Sequence, residues 1–323
     1  MRSVSWSQEK IVFLIAIAMF CIFSLFLHGF LTAGNLITLV RSVSVLGVLG
    51  VGMAILVIGR GIDLAIVAIY AMSAAWMLQL ANQGVPIPLA MLFSYLFAVS
   101  AGLLSGALIA YVEMPPLFTT LGMASFVYGF ARWALVPLFV VYMPASASGI
   151  AWIGGGFVFG LPTPILFFAI VASLGFAFLR FTKPGRFIYA IGDNPAAARI
   201  SGAPTRPIIV LQYAISATVA YLAGIITATA VASMDTAAAN SSLIYDVVLV
   251  VVIGGIGLSG GRGGIRNVMV GTLLIGILLN GMTIMNIEYT LQNVIRSLIL
   301  LGAIILDSIL NPLDEQISQQ GDI

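Results

Sequence analysis

The sequence predicts an all-α polytopic membrane protein of about ten transmembrane helices. Three observations carry this expectation. Hydrophobic residues make up 61% of the 323 positions. Only 7% are charged, against about 25% in an ordinary soluble domain, too few to cover a water-soluble fold of this size. Apolar stretches of roughly 20 residues, the length that a bilayer demands, recur along the whole chain.

Composition also excludes several chemistries. A formal net charge of +2 is too small for a nucleic-acid binder, which needs a basic face to displace phosphate counterions. Cys21 is the sole cysteine and His28 the sole histidine. An intrachain disulfide, a cysteine metal site and a histidine-triad metal site are therefore all impossible. No metal and no cofactor is expected.

The candidate spans are 11–29, 37–58, 64–82, 87–110, 117–136, 164–180, 208–232, 243–258, 268–287 and 290–309. The basic start and first apolar run could suit a secretory signal. No small-x-small cleavage site follows, because the run ends in Leu27-His28-Gly29-Phe30, so it reads as an anchor. Spans two and three are broken only by Arg41 and by Gly59-Arg60-Gly61-Ile62-Asp63. Two helices hinged at 59–63 are expected, since one straight helix would far overshoot the membrane. The eighth span is short, with Gly254, Gly255 and Gly257 at its end.

Lysine and arginine set the orientation. Arg2 and Lys10 precede span one. Arg180, Lys183, Arg186, Arg199 and Arg206 crowd the loop after span six, and Arg262 and Arg266 follow span eight. An even span count puts these groups on one side, the cytoplasm. Both termini are then cytoplasmic, with Asp314, Glu315 and Asp322 in a solvated tail. Loop 137–163, rich in Gly, Pro and Ser, is external. The whole chain, 1–323, reads as a single transmembrane domain.

Neither of two motor signatures is present. Gly255-Ile256-Gly257-Leu258-Ser259-Gly260 has dinucleotide-loop spacing, but its flanks are membrane spans and position 280 is Asn rather than an acid. The only lysines are Lys10 and Lys183, so no phosphate-binding loop ending in Gly-Lys-Ser/Thr exists. Asp63, Glu113, Asp235, Asp246, Glu288 and Asp307 all fall near span ends. An ion-driven carrier usually places carboxylates deeper. The chain reads as a passive pathway that a partner must power.

Loop 181–207 holds a short helix. Asn194 suits an N-cap and Pro195 the first helical position. Ala196, Ala197 and Ala198 favour helix. Gly202 suits the C′ position, and Pro204 blocks continuation. About two turns are too few for stability in isolation. The residues leave two readings open, a surface for a partner protein or an interfacial helix resting on lipid headgroups.

Three segments carry a family resemblance. They are Gly61-Ile62-Asp63-Leu64, the run from Gly185 to Gly202 (GRFIYAIGDNPAAARISG), and the run from Gly254 to Gly264 (GGIGLSGGRGG). Over about 35–310 the sequence resembles the permease subunit of bacterial ATP-binding-cassette importers for monosaccharides of the ribose, xylose and galactose type. It departs from that pattern at Arg60, which stands where the family has glycine, at Ala65, Ile66 and Val67, at Ala196, where family members often carry Glu, and at Tyr128, with Arg132 one turn later.

The resemblance implies a type II-like importer permease in the bacterial inner membrane. Its partners would be a second permease subunit, identical or not, cytoplasmic ATPases that do the hydrolysis, and a periplasmic or lipid-anchored solute-binding protein. Helix 194–201 would be the coupling helix, with Gly192, Asn194, Pro195, Ala197, Ala198, Arg199 and Gly202 at the ATPase. Ser259, Gly260, Gly261 and Arg262 would form a cytoplasmic Gly-rich loop. Asp63, Ser216, Asn280 and Thr283 are pathway candidates, with helix–helix packing as the plainer role for the small and hydroxyl groups. Arg41 and Arg296 break the positive-inside pattern near the outer face. Each needs a counter-charge or water. Docking of a binding protein is one reading, and an internal pair, such as Arg296 with Glu288, is the other. A self-contained carrier and a membrane enzyme are the competing functions. Branched-chain amino acids or a furanosyl signal are competing cargos, although the third segment favours sugars.

Overall fold

The structure, a computed structural model, describes residues 8–310, with side chains through 305. Arg2, the tail acids Asp314, Glu315 and Asp322, and the side chain of Asp307 lie outside the described residues.

The apolar stretches fold as helices, because in hydrocarbon every backbone group must be bonded within its own segment. In chain order these are α1 (Gln8–Phe26), α2 (Ala33–Ile58), α3 (Ile66–Asn82), α4 (Ile87–Tyr111) and α5 (Pro116–Phe130), the last extended by a π-turn over Ala131–Leu135. A short α6 (Trp152–Gly155) precedes α7 (Thr163–Phe181), α8 (Lys183–Asp193) and α9 (Pro195–Ile200). Then come α10 (Thr205–Ala230), α11 (Leu243–Ile253), α12 (Ile265–Ile284) and α13 (Tyr289–Leu310). Every expected span has its helix. Six of them, α1, α2, α4, α7, α10 and α12, are long and apolar enough to cross a membrane.

α11 is the exception in kind. Its 11 residues rise about 16 Å, roughly half the hydrocarbon thickness. The chain continues through the glycines at 254–264 as irregular backbone. Such backbone survives at membrane depth only when packed in protein, and Gly254 and Ile256 are buried.

α2, α3 and α10 form the core. Among the largest fully buried side chains are Leu49, Met53, Ile66, Met72 and Tyr213. α10 also lies close against α4. A Cβ at Gly102 would stand 2.6 Å from the Tyr213 carbonyl oxygen, and one at Gly106 would stand 2.7 Å from Val210 Cα. Small residues permit this approach where lipid supplies no hydrophobic drive between helices.

Contacts between loops sort them into two faces. On one, Arg206 pairs with Glu113 at 3.0 Å and Tyr189 donates to the Gly263 carbonyl at 2.8 Å. On the other, β1 (Val140–Tyr142) pairs antiparallel with β4 (Ser233–Asp235), while β2 (Phe157–Val158) pairs with β3 (Leu161–Pro162). Asn82 reaches the Tyr142 carbonyl there. The first face carries most of the described arginines.

Candidate functional site

Two regions hold the expected residues. On the arginine-rich face, three chain segments meet. Asn194 caps α9 by accepting from Ala197 N at 3.0 Å. Gly202 has φ +80°, and the Gly202 and Ala203 amides donate back to the Arg199 and Ala198 carbonyls. That closes α9 with a Schellman turn. Ala198 is buried, whereas Pro195, Ala196, Ala197, Arg199 and Ile200 are exposed, Ile200 by 88%.

The sequence reading missed α8. Its signals were present. Thr182 caps it by accepting from Gly185 N, Pro184 sits in the first turn, and Ile188 and Ile191 are buried at helical spacing. α8 presents its C-terminal carbonyls to Arg60. The Arg60 Nε donates to Gly192 O at 2.6 Å and its Nη2 to Asp193 O at 2.7 Å. A cation at a helix C-terminus offsets the macrodipole. Arg60 itself has φ +63°, the left-handed region that glycine tolerates best. An arginine therefore carries backbone strain there while making two charge-assisted bonds.

The Gly-rich loop completes the junction. Gly261 N donates to Ile58 O, the end of α2, at 2.8 Å. Gly260 and Gly261 have φ +80° and +72°. Gly192 has no room for a side chain, as its Cβ would collide with Ile58 O and stand 2.5 Å from Gly261 N.

α10 grips the same hinge from the other side. Gln212 Nε2 donates to Ile55 O at 2.7 Å, and Tyr213 Oη donates to Ile62 O at 3.0 Å. Ser216 Oγ donates to Asp63 Oδ2 at 2.8 Å, and Asp63 Oδ1 accepts from Ala65 N. Both side chains are buried. In this structure Asp63 and Ser216 are sealed together at the α2–α3 hinge and lie outside the cavity wall described below, because a buried carboxylate needs its hydrogen bonds met.

The second region is a cavity of about 630 Å³ toward the opposite face, between α2, α3, α10, α11 and α12. Its wall exposes more apolar than polar surface, with Thr38, Arg41, Thr227, Asp246, Asn280 and Thr283 among its polar side chains. Asn280 exchanges two amide hydrogen bonds with Asn35, at 3.0 and 2.8 Å. Arg41 is half-buried, donates to Gly155 O at 3.1 Å and lies over the Phe157 ring.

Arg296 requires a correction. It does not meet Glu288. Its Nη1 donates to Asp246 Oδ2 at 2.7 Å, and both side chains are almost wholly buried. A buried, paired guanidinium is not offered to a docking protein. Sequence could not name this partner, because Asp246 lies 50 residues away on α11.

A helical bundle with a cavity toward one face and, at the other, a short exposed helix tied to the α2–α3 hinge has the layout of a transport permease. A family model described as branched-chain amino acid transport system / permease component matches residues 35–306, and the chain belongs to that family. Over 94% of both chains it is 29% identical to the ribose import permease protein RbsC of Haemophilus influenzae. It is 30% identical to RbsC of Bacillus subtilis over 86% of each chain. It is 30% identical to the galactofuranose transporter permease protein YtfT of Escherichia coli, covering 85% of this chain and 80% of the relative. No solved structure matches it.

Proposed function

We propose that this chain is the membrane-spanning subunit of an ATP-binding-cassette importer that moves a monosaccharide across the cytoplasmic membrane. The relatives named for ribose and galactofuranose import support the sugar class. The observation that carries the mechanism is the exposed α9, capped at both ends and joined through α8 and Arg60 to the hinge of α2 and α3. Partner ATPases hydrolyse ATP and push on α9. The push travels through α8 and α10 to the hinge and reshapes the cavity beyond it. A second permease copy or paralogue completes the passage, and a solute-binding protein docks on the outer loops near Arg41. Both termini face the cytoplasm, as the arginine distribution requires.

The test is Arg199→Glu in the complete importer. ATPase association weakens and sugar-stimulated hydrolysis is lost, while membrane insertion is unchanged. Normal sugar-stimulated hydrolysis in this variant removes α9 from the coupling role. Uptake of leucine rather than any of a panel of monosaccharides would move the cargo to branched-chain amino acids.

A labelling experiment tests the passage. Cysteine at Thr283 or Asn280 reacts with a water-soluble thiol reagent during turnover, whereas cysteine at Ser216 stays inert because that site is sealed against Asp63. Inert thiols at both α12 positions would assign the cavity to packing.

A further inference from the structure

A second cavity, of about 430 Å³, lies on the arginine-rich face where α7 ends and α12 begins. It is lined by Arg180, Arg186 and Arg266, with Glu9 as the sole carboxylate in its wall. Arg180 and Arg266 lie over the same Phe176 ring, at 5.8 and 5.7 Å from its centroid. Among the described residues no carboxylate stands within ion-pair distance of any of the three arginines. Like charges gathered on one ring repel, and an anion placed among them relieves the repulsion. Tyr189 of α8 closes one wall, its hydroxyl bonded to Gly263 O.

The position of the cleft selects the anion. It sits at the ends of two apolar helices, α7 and α12, each long enough to cross a membrane. The framing helices stay apolar and exposed just inside it. Phe13, one turn along α1 from Glu9, is 44% exposed, and Met269, one turn along α12 from Arg266, is 49% exposed. A ligand with a phosphate at one end and acyl chains at the other matches this order of surfaces. Basic pockets between spans on the cytoplasmic side are suited to such headgroups.

We propose that this cleft binds the phosphate headgroup of an anionic phospholipid, which thereby contacts α8, the helix that is locked to the α2–α3 hinge. The site goes beyond the importer reading and does not depend on the cargo.

The test uses the complete importer, stripped of lipid in neutral detergent, with melting followed as phosphatidylglycerol, phosphatidylcholine or inorganic phosphate is added. Phosphatidylglycerol raises the melting temperature, and phosphatidylcholine and inorganic phosphate do not. The triple variant Arg180→Gln, Arg186→Gln, Arg266→Gln needs on the order of a hundredfold more phosphatidylglycerol for the same shift, roughly fivefold per arginine removed. The matching triple lysine variant keeps most of the response, showing that charge rather than misfolding is read. An equal response to inorganic phosphate would assign the cleft to a free anion and overturn the proposal. An unchanged phosphatidylglycerol response in the glutamine variant, with loss of the ATPase subunits, would make the cleft an ATPase contact and overturn it too. Failure of the Arg199→Glu test would leave this result untouched, so the two readings fall separately.

Discussion

Gly192→Ala abolishes coupling. The added methyl group has nowhere to go, because Ile58 O and Gly261 N already fill the position of the missing Cβ. Both obstacles are backbone atoms that hold each other in a hydrogen bond. Relief requires α8 to withdraw from the end of α2, and that breaks the two Arg60 bonds to Gly192 O and Asp193 O. Overpacking of this kind costs about 1–3 kcal/mol. At a tenfold change per 1.4 kcal/mol, the locked junction becomes rarer by roughly five- to over a hundredfold. The measurement is sugar transported per ATP hydrolysed in proteoliposomes. Gly202→Ala is the control. It meets open space but must hold φ +80°, a strain of about 1–2 kcal/mol for a residue with a Cβ, so it lowers the stability of α9 while leaving the junction intact. If Gly192→Ala transports with the wild-type ratio, the junction does not carry the stroke.

Arg296→Gln has the largest expected effect on stability. It leaves Asp246 buried beside α13 without its counter-charge, and Asp246 Oδ1 already has no hydrogen-bond partner. Breaking a buried pair by removing one member costs about 3–5 kcal/mol. Asp246→Asn strands the guanidinium and costs a similar amount. The double variant, Arg296→Gln with Asp246→Asn, recovers most of the loss, because no uncompensated charge remains. Membrane yield and melting temperature of the four proteins form a double-mutant cycle that reads the coupling directly. Equal losses that simply add would show that the pair contributes nothing beyond its separate side chains.

The contrast between the two arginines shows where sequence reading stops. Arg41 and Arg296 look alike along the chain, each a cation set in an apolar run near the outer face. Burial separates them. α11 brings Asp246 against Arg296, whereas among the described residues Arg41 meets a carbonyl and a ring of loop 137–163 and no carboxylate within ion-pair distance. Asp63 and Ser216 behave similarly. Their residue types suit a polar passage, yet α10 turns Ser216 onto the hinge carboxylate.

By itself the sequence determined the ten apolar spans and the short exposed helix, since these depend on local matters: span length, and Asn194, Pro195 and Gly202 at cap positions. It also marked the three segments of the family resemblance, and the family match covers nearly the same stretch. What it could not supply is that the second and third segments converge on Ile58 and Arg60, just ahead of the first. Gly61 to Leu64, Gly185 to Gly202 and Gly254 to Gly264 are far apart along the chain. The last two meet beside Ile58 because α2 ends, α8 ends and the Gly-rich loop turns at one point, where Ile58 O, Gly192 and Gly261 leave no space for side chains. Only the tertiary structure decides such long-range contacts, because each depends on where the other helices pack and not on the propensity of any single segment.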